Sequence, residues 1–193
     1  YRDYLKPLIG LMKKQLLSEN ILHADETPVQ VLKEKGRKNK SKSYMWLYAT
    51  GQYAEHHIRV FEYQPSRAGA CASKFLEGFH GYLHTDAYAG YSQVDDVIHC
   101  CCMAHARRKF VEALPENIEH PDETIPGRVI KEMGRLFKIE QDCQEISAEE
   151  RQKQREKEAK PILLALFEYL EKEQGHVPQS SRLSKAINYC LSH

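Results

Sequence analysis

Residues 1–193 contain no run approaching the roughly 18–20 apolar residues that a membrane span requires. A charged-then-apolar leader is also missing, so no secretion signal is visible. Of the six cysteines, three stand side by side at Cys100, Cys101 and Cys102, a poor layout for a disulfide framework. That favours a reduced, cytoplasmic setting. The formal net charge is only +1, so bulk charge does not announce a nucleic-acid partner, and any such claim rests on local clusters. No internal repeat of the length that solenoids use is present. What is there is ordinary globular composition, 41% apolar, enough to bury a core. The chain begins with Tyr1 rather than Met, and the expectation is that it is a piece of something longer.

The hydrophobic patterning predicts α/β structure. Leu5, Leu8, Ile9, Met12 and Leu16 recur at mostly helical spacing, so residues 3–18 are expected to form an amphipathic helix. Residues 21–32, 43–50 and 54–63 read as strands joined by short polar turns, an antiparallel meander. Residues 66–79 read as a helix with Ser66 as its cap. A fourth strand follows at 81–88, and 97–102 (VIHCCC) reads as a short strand of the buried type. Helices are expected at 103–114 and 123–146, and a capping box at Ser147–Glu150 opens another. The polar stretch 149–160 reads as an exposed or poorly ordered helix, Pro161 as the start of an apolar helix, and Arg182 as the start of the last one. Because a helix separates strands three and four, strand four can lie parallel to strand one in a mixed sheet.

Two strand-like segments share a local pattern. Leu22-His23-Ala24-Asp25 is echoed by Leu83-His84-Thr85-Asp86. On adjacent parallel strands the two carboxylates would stand about 4.8 Å apart. Two such charges repel by roughly 3 kcal/mol at an effective dielectric near 20. A bound Mg²⁺ or Mn²⁺ would neutralise them, since both ions take hard oxygen ligands, and such sites suit phosphodiester chemistry. The plainer reading, that each aspartate marks a strand end, stays open on pattern alone.

HADETPVQVL, LHTDAYAGYSQV and CCMAHARRKFVEAL, in this order, resemble the transposases of the insertion-sequence 66 family, enzymes of bacterial mobile elements. PILLALFEYLEKE and SRLSKAINYCLSH are similar to that family's helical segment, so the likeness covers essentially the whole chain. It implies an α/β, ribonuclease-H-like mixed five-stranded sheet with flanking helices and a C-terminal helical insertion. It also implies Asp-Asp-Glu DNA strand cleavage and transfer with Mg²⁺ or Mn²⁺. Asp25 matches the family's first catalytic and metal-binding acid and Asp86 its second. The implied partner is DNA, both transposon ends and target, with a homo-oligomer in the transposition complex and no membrane. The organisation expected is a leading helix at 1–20, an incomplete catalytic core at 21–115 and a helical insertion at 116–193. The family's third acid, in an Asn-Asn-x-x-Glu-Arg type motif, does not occur in residues 1–193, so the expectation is a chain that stops before it. Glu168, Glu171 and Glu173 read as the solvated face of a helix instead.

Two basic clusters are candidates for DNA phosphates. His105, Arg107, Arg108 and Lys109 open the helix at 103–114; they suit phosphate contact or, alternatively, form a solvated face. The turn at 33–42 carries Arg37, Lys38 and Lys40 among other lysines; it is either a non-specific grip or a solvated loop. Adjacent cysteines on a strand point to opposite faces, so Cys100–Cys102 read as small apolar residues and not as a zinc site. Two rivals to transposition remain, a nuclease of the same fold and a non-catalytic DNA-binding or regulatory remnant.

Overall fold

The computed structural model describes residues 2–192; the expectations made for Tyr1 and His193 lie outside the described residues. The chain divides into two compact units, residues 1–102 and 103–193.

The first unit opens with helix α1 (Arg2–Leu17), followed by strands β1 (Ile21–Gln30), β2 (Lys42–Thr50) and β3 (Arg59–Gln64). Helix α2 (Gly69–Phe75), strand β4 (Gly81–Thr85), a 3-10 turn (Ala89–Gln93) and strand β5 (Val97–Cys101) complete it. The sheet order is β3-β2-β1-β4-β5. β1 pairs antiparallel with β2, and β2 antiparallel with β3, whereas β4 runs parallel to both β1 and β5. This is the expected mixed sheet of a ribonuclease-H-like fold. The helix between β3 and β4 makes it possible, because a parallel neighbour needs a crossover rather than a hairpin.

Side-chain alternation assigns the faces of β1. Leu22 and Ala24 are buried, while Ile21, His23, Asp25 and Thr27 are exposed. Leu22 joins Trp46, Tyr48, Leu83, Phe75, Phe79 and Leu16 in one core between the sheet and helices α1 and α2. The Tyr48 and Phe75 rings stack with centroids 3.7 Å apart. Pro28 is tolerated in β1 because parallel pairing with β4 ends at His23, leaving that edge of the strand without a ladder to supply.

Several of the helices and strands are shorter than the periodicity suggested, although α1 keeps its expected length and β2 gains a residue. The stretch 54–58 is irregular loop rather than strand, and β4 ends at Thr85 rather than at residue 88. Helix α2 begins after Ala68, which gives no side-chain cap; Ser66 instead accepts a hydrogen bond from the Ala68 amide. β5 is not a buried strand. As the sheet's edge it leaves Ile98 56% exposed, and Cys100, Cys101 and Cys102 are only partly buried.

The second unit is helical: α3 (Met103–Ala113), α4 (Ile125–Asp142), α5 (Ala148–Gln154), α6 (Lys160–Gln174) and α7 (Arg182–Ser192). Phe110, Val129, Met133, Leu166, Leu170 and Ile187, from α3, α4, α6 and α7, form its core. The Ser147 capping box is present in full. Pro161 lies in the first turn of the apolar helix α6, as expected, but no break precedes it: α5 and α6 are joined by a π-helical turn (Arg155–Ala159) with helical backbone at both junctions. A proline in the first turn of α6 cannot donate an i→i−4 bond, and the wider turn before it carries the chain past that gap. No described helix is long and apolar enough to cross a membrane.

Candidate active site

His23 on β1 stands opposite His84 on β4 in the parallel register, with ring centroids 4.9 Å apart. An aspartate follows two residues further on in each segment, Asp25 within β1 and Asp86 just past the end of β4. Partial burial lowers the pKa of both imidazoles, and the charge of His84 lowers His23 further. The pair is therefore neutral at pH 7 and adds no positive charge beside the acids.

The two aspartates have different surroundings. Asp25 lies mid-strand on the exposed face, its Oδ1 accepting the Glu26 amide at 2.9 Å. Asp86 lies one residue past the end of β4, and its side chain is 23% exposed. Its Oδ1 accepts the Tyr88 amide at 2.9 Å, and its Oδ2 lies 3.5 Å from Arg67 Nη2. Ala87, between Asp86 and Tyr88, has φ of 62°, a left-handed conformation that alanine seldom adopts. Such conformations persist where surrounding contacts over-determine them, often at functional sites.

Those contacts involve residues that no local sequence pattern singled out. Glu26 follows Asp25 but faces the other way, with Leu22 and Ala24, and its side chain has no exposure. Arg67 Nε donates to Glu26 Oε1 at 2.6 Å, with Nη2 at 2.5 Å from the same oxygen. The Tyr91 hydroxyl donates to Glu26 Oε2 at 2.6 Å. The guanidinium lies 3.8 Å over the Tyr88 ring, whose hydroxyl donates to the Arg67 carbonyl at 2.8 Å. Burial raises the Glu26 pKa, against the opposing effect of its bonds from Tyr91 and Arg67. Burial works against the Arg67 charge, but the bond and charge of Glu26 outweigh it and raise that pKa. Burial, and then the bond to Glu26, raise the Tyr91 phenol, which stays protonated and donating. Period-2 alternation along β1 would have flagged Glu26 as a carboxylate on the core face.

The aspartate carboxylates offer the hard oxygen donors that suit Mg²⁺ or Mn²⁺, which commonly use one or two carboxylates and complete their shells with water and phosphate. Among the described residues, no group of three or more His, Cys, Asp and Glu side chains gathers to hold a metal ion.

The basic candidates divide by environment. In the hairpin, Arg37 is engaged within its own loop: Nη1 pairs with Glu34 at 2.9 Å and bonds Ser43, and Nη2 donates to the Lys42 carbonyl at 3.0 Å. Lys38 and Lys40 are exposed. On α3, Arg108 is exposed, while His105, Arg107 and Lys109 are partly buried. Lys109 Nζ lies 4.5 Å over the Tyr189 ring, and His105 Nδ1 is buried with no hydrogen-bond partner among the described residues. Glu168 and Glu171 are exposed on α6, and Glu173 is partly buried there.

No solved structure matches this chain. It is similar to the uncharacterized protein y4hP of Sinorhizobium fredii (strain NBRC 101917 / NGR234), with 26% identity over 97% of this chain and 37% of that protein. It is likewise similar to the uncharacterized protein y4jD of the same strain, with 27% identity over 98% of this chain and 39% of that protein. The chain thus spans less than two-fifths of the length of these curated relatives. The family described as Transposase IS66 family matches residues 1–193. With that match running the length of a chain whose sheet has the ribonuclease-H-like order, the chain belongs to the IS66 transposase family.

Proposed function

We infer that this chain supplies the first two acids of a transposase catalytic core that cleaves and joins DNA strands. The supporting observation is the parallel pairing of β1 and β4 with His23 opposite His84, each strand continuing to an aspartate. In this reading Asp25 and Asp86 are the ligands of Mg²⁺ or Mn²⁺. When bound, the ions would lower the barrier to attack on a phosphodiester and steady the leaving oxygen. Asp25, exposed on the sheet face, meets the DNA backbone from the side open to solvent. Asp86 is held at the strand end by the Tyr88 amide, which fixes its orientation before substrate arrives. The third acid is supplied by a glutamate outside residues 1–193, since no Asn-Asn-x-x-Glu-Arg motif occurs within them. The DNA partners are the transposon ends and the target, and His105, Arg107, Arg108 and Lys109, with Lys38 and Lys40, contact phosphates.

The test is nicking of labelled transposon-end DNA in Mn²⁺, by residues 1–193 and by a longer protein that carries the glutamate motif. The longer protein nicks, and Asp25→Ala or Asp86→Ala abolishes it. Residues 1–193 alone bind the ion weakly and do not nick. Cleavage by residues 1–193 that depends on Asp25 would place the third carboxylate inside this chain. Cleavage by the longer protein that survives both substitutions would refute the assignment of the acids.

A further inference from the structure

The buried carboxylate behind Asp86 supports an inference that rests on reading Asp86 as a metal-binding acid. We propose that Glu26 is a positioning residue: it holds the Arg67 guanidinium away from Asp86, so that the Asp86 carboxylate keeps its attraction for a divalent cation.

The asymmetry of the guanidinium carries the argument. Among the described residues its ion pairs are with Glu26 and Asp86. The Glu26 contacts, at 2.5 and 2.6 Å, are shorter than the roughly 2.7–2.9 Å usual for charge-assisted N–H···O bonds. The Asp86 contact, at 3.5 Å, lies at the outer limit of a hydrogen bond. Glu26 is itself fixed, its side chain without exposure and its second oxygen taken by Tyr91. Stacking on Tyr88 and the bond from the Tyr88 hydroxyl to the Arg67 carbonyl restrain the arginine from the other side. Tyr88 also gives its amide to Asp86, so one residue sets the separation between cation and acid.

The charges explain why that separation matters. An arginine closing on Asp86 would neutralise it and repel an incoming divalent ion through a partly desolvated medium, where such repulsion is worth several-fold more than in water. Glu26 cancels the guanidinium charge where it stands. A glutamate buried on the core face of β1, directly after an exposed aspartate, is otherwise a costly choice for a strand.

The experiment measures Mn²⁺ binding to the chain by the electron paramagnetic resonance signal of the free ion, with thermal melts to establish folding. Wild type binds, and Asp86→Asn loses binding. Glu26→Gln keeps the shape but frees the arginine charge, so binding weakens by about tenfold or more, as expected for an uncompensated charge a few ångströms away. Adding Arg67→Gln to Glu26→Gln leaves a neutral pair with no lone buried charge, and binding returns to within about threefold of wild type. A single Glu26→Gln variant that binds like wild type overturns the inference. So does a folded double variant that binds as weakly as the single one, because Glu26 and Arg67 would then matter only as structure. If the single variant does not fold, the double variant decides: near-wild-type affinity supports the inference and loss overturns it. Wild type that binds no Mn²⁺, or binding that survives Asp86→Asn, overturns the underlying reading of Asp86 and the inference with it.

Discussion

Two glycines set how closely the arginine and tyrosine of the site approach. A Cβ on Gly69, at the start of α2, would lie 2.3 Å from the Gly90 carbonyl oxygen, and a Cβ on Gly90 would lie 2.3 Å from the Tyr88 ring. The backbone of α2 can approach the 3-10 turn at Gly90 because Gly69 lacks a side chain, and the Tyr88 ring can pack on Gly90 because Gly90 lacks one too. Gly69→Ala is therefore expected to destabilise the protein by about 1–3 kcal/mol, the cost of overpacking where backbone must yield. Gly134, in the interior of α4, gives the opposite sign, because a Cβ added there would meet nothing within 4 Å. There Ala restricts the unfolded chain at no steric cost, and a gain of about 0.5–1 kcal/mol is expected. Urea denaturation of both variants checks the pair of signs. At this scale the sequence singled out Asp25 and Asp86 as candidates, because each sits in a repeated local pattern. It did not show Arg67, which reaches Glu26 across 41 positions and leaves no local trace. Tyr88 and Tyr91 were hidden for the same reason, since their roles arise from a fold-level meeting of α2 with the strand end.

Among the elements, the helix start at Ser147 was legible because its capping chemistry is local, and a pH prediction follows from it. The Glu150 carboxylate accepts from the Ser147 hydroxyl at 2.7 Å and from the Ser147 amide at 3.1 Å. These two bonds hold its pKa below the usual value of 4.5. A carboxylate with a lowered folded pKa stabilises the fold above its unfolded pKa, and that contribution is lost as pH falls through the folded value. Glu150→Gln should therefore melt below wild type at pH 7, with the difference shrinking only as pH falls below the usual 4.5 and through the lower folded value, where the wild-type carboxylate takes up its proton. A difference that stays constant from pH 7 to pH 3 would show that the charge plays no part. Other elements were less legible. β5 has the apolar composition of an interior strand, but its place at the edge depends on strand order, which no short stretch encodes. The π-helical turn before Pro161 has no local signature either: a proline favours a helix start, whereas here a continuing helix widens to pass it.

For the whole molecule, a net charge of +1 leaves DNA affinity to particular faces, and those faces differ in how much of their charge is available. Arg37 is bound up in the hairpin by Glu34, Ser43 and the Lys42 carbonyl, while Glu34 also accepts the Tyr63 hydroxyl at 2.5 Å. Arg37→Ala should thus loosen the loop and leave the salt dependence of DNA binding nearly unchanged. On α3, Arg108 is exposed and Arg107 partly so. If both contact phosphates, each releases bound counterions, and the slope of log affinity against log salt falls by about 0.9 for each contact removed. Joint Arg107→Glu and Arg108→Glu substitution is expected to weaken binding to mixed-sequence duplex and flatten that slope by about 2. The measurement is fluorescence anisotropy across a salt series, with circular dichroism to establish folding. An unchanged slope in a folded variant would make these arginines a solvated helix face. Loss on Lys38→Glu with Lys40→Glu instead would make the hairpin the main grip, carried by its exposed lysines and not by Arg37.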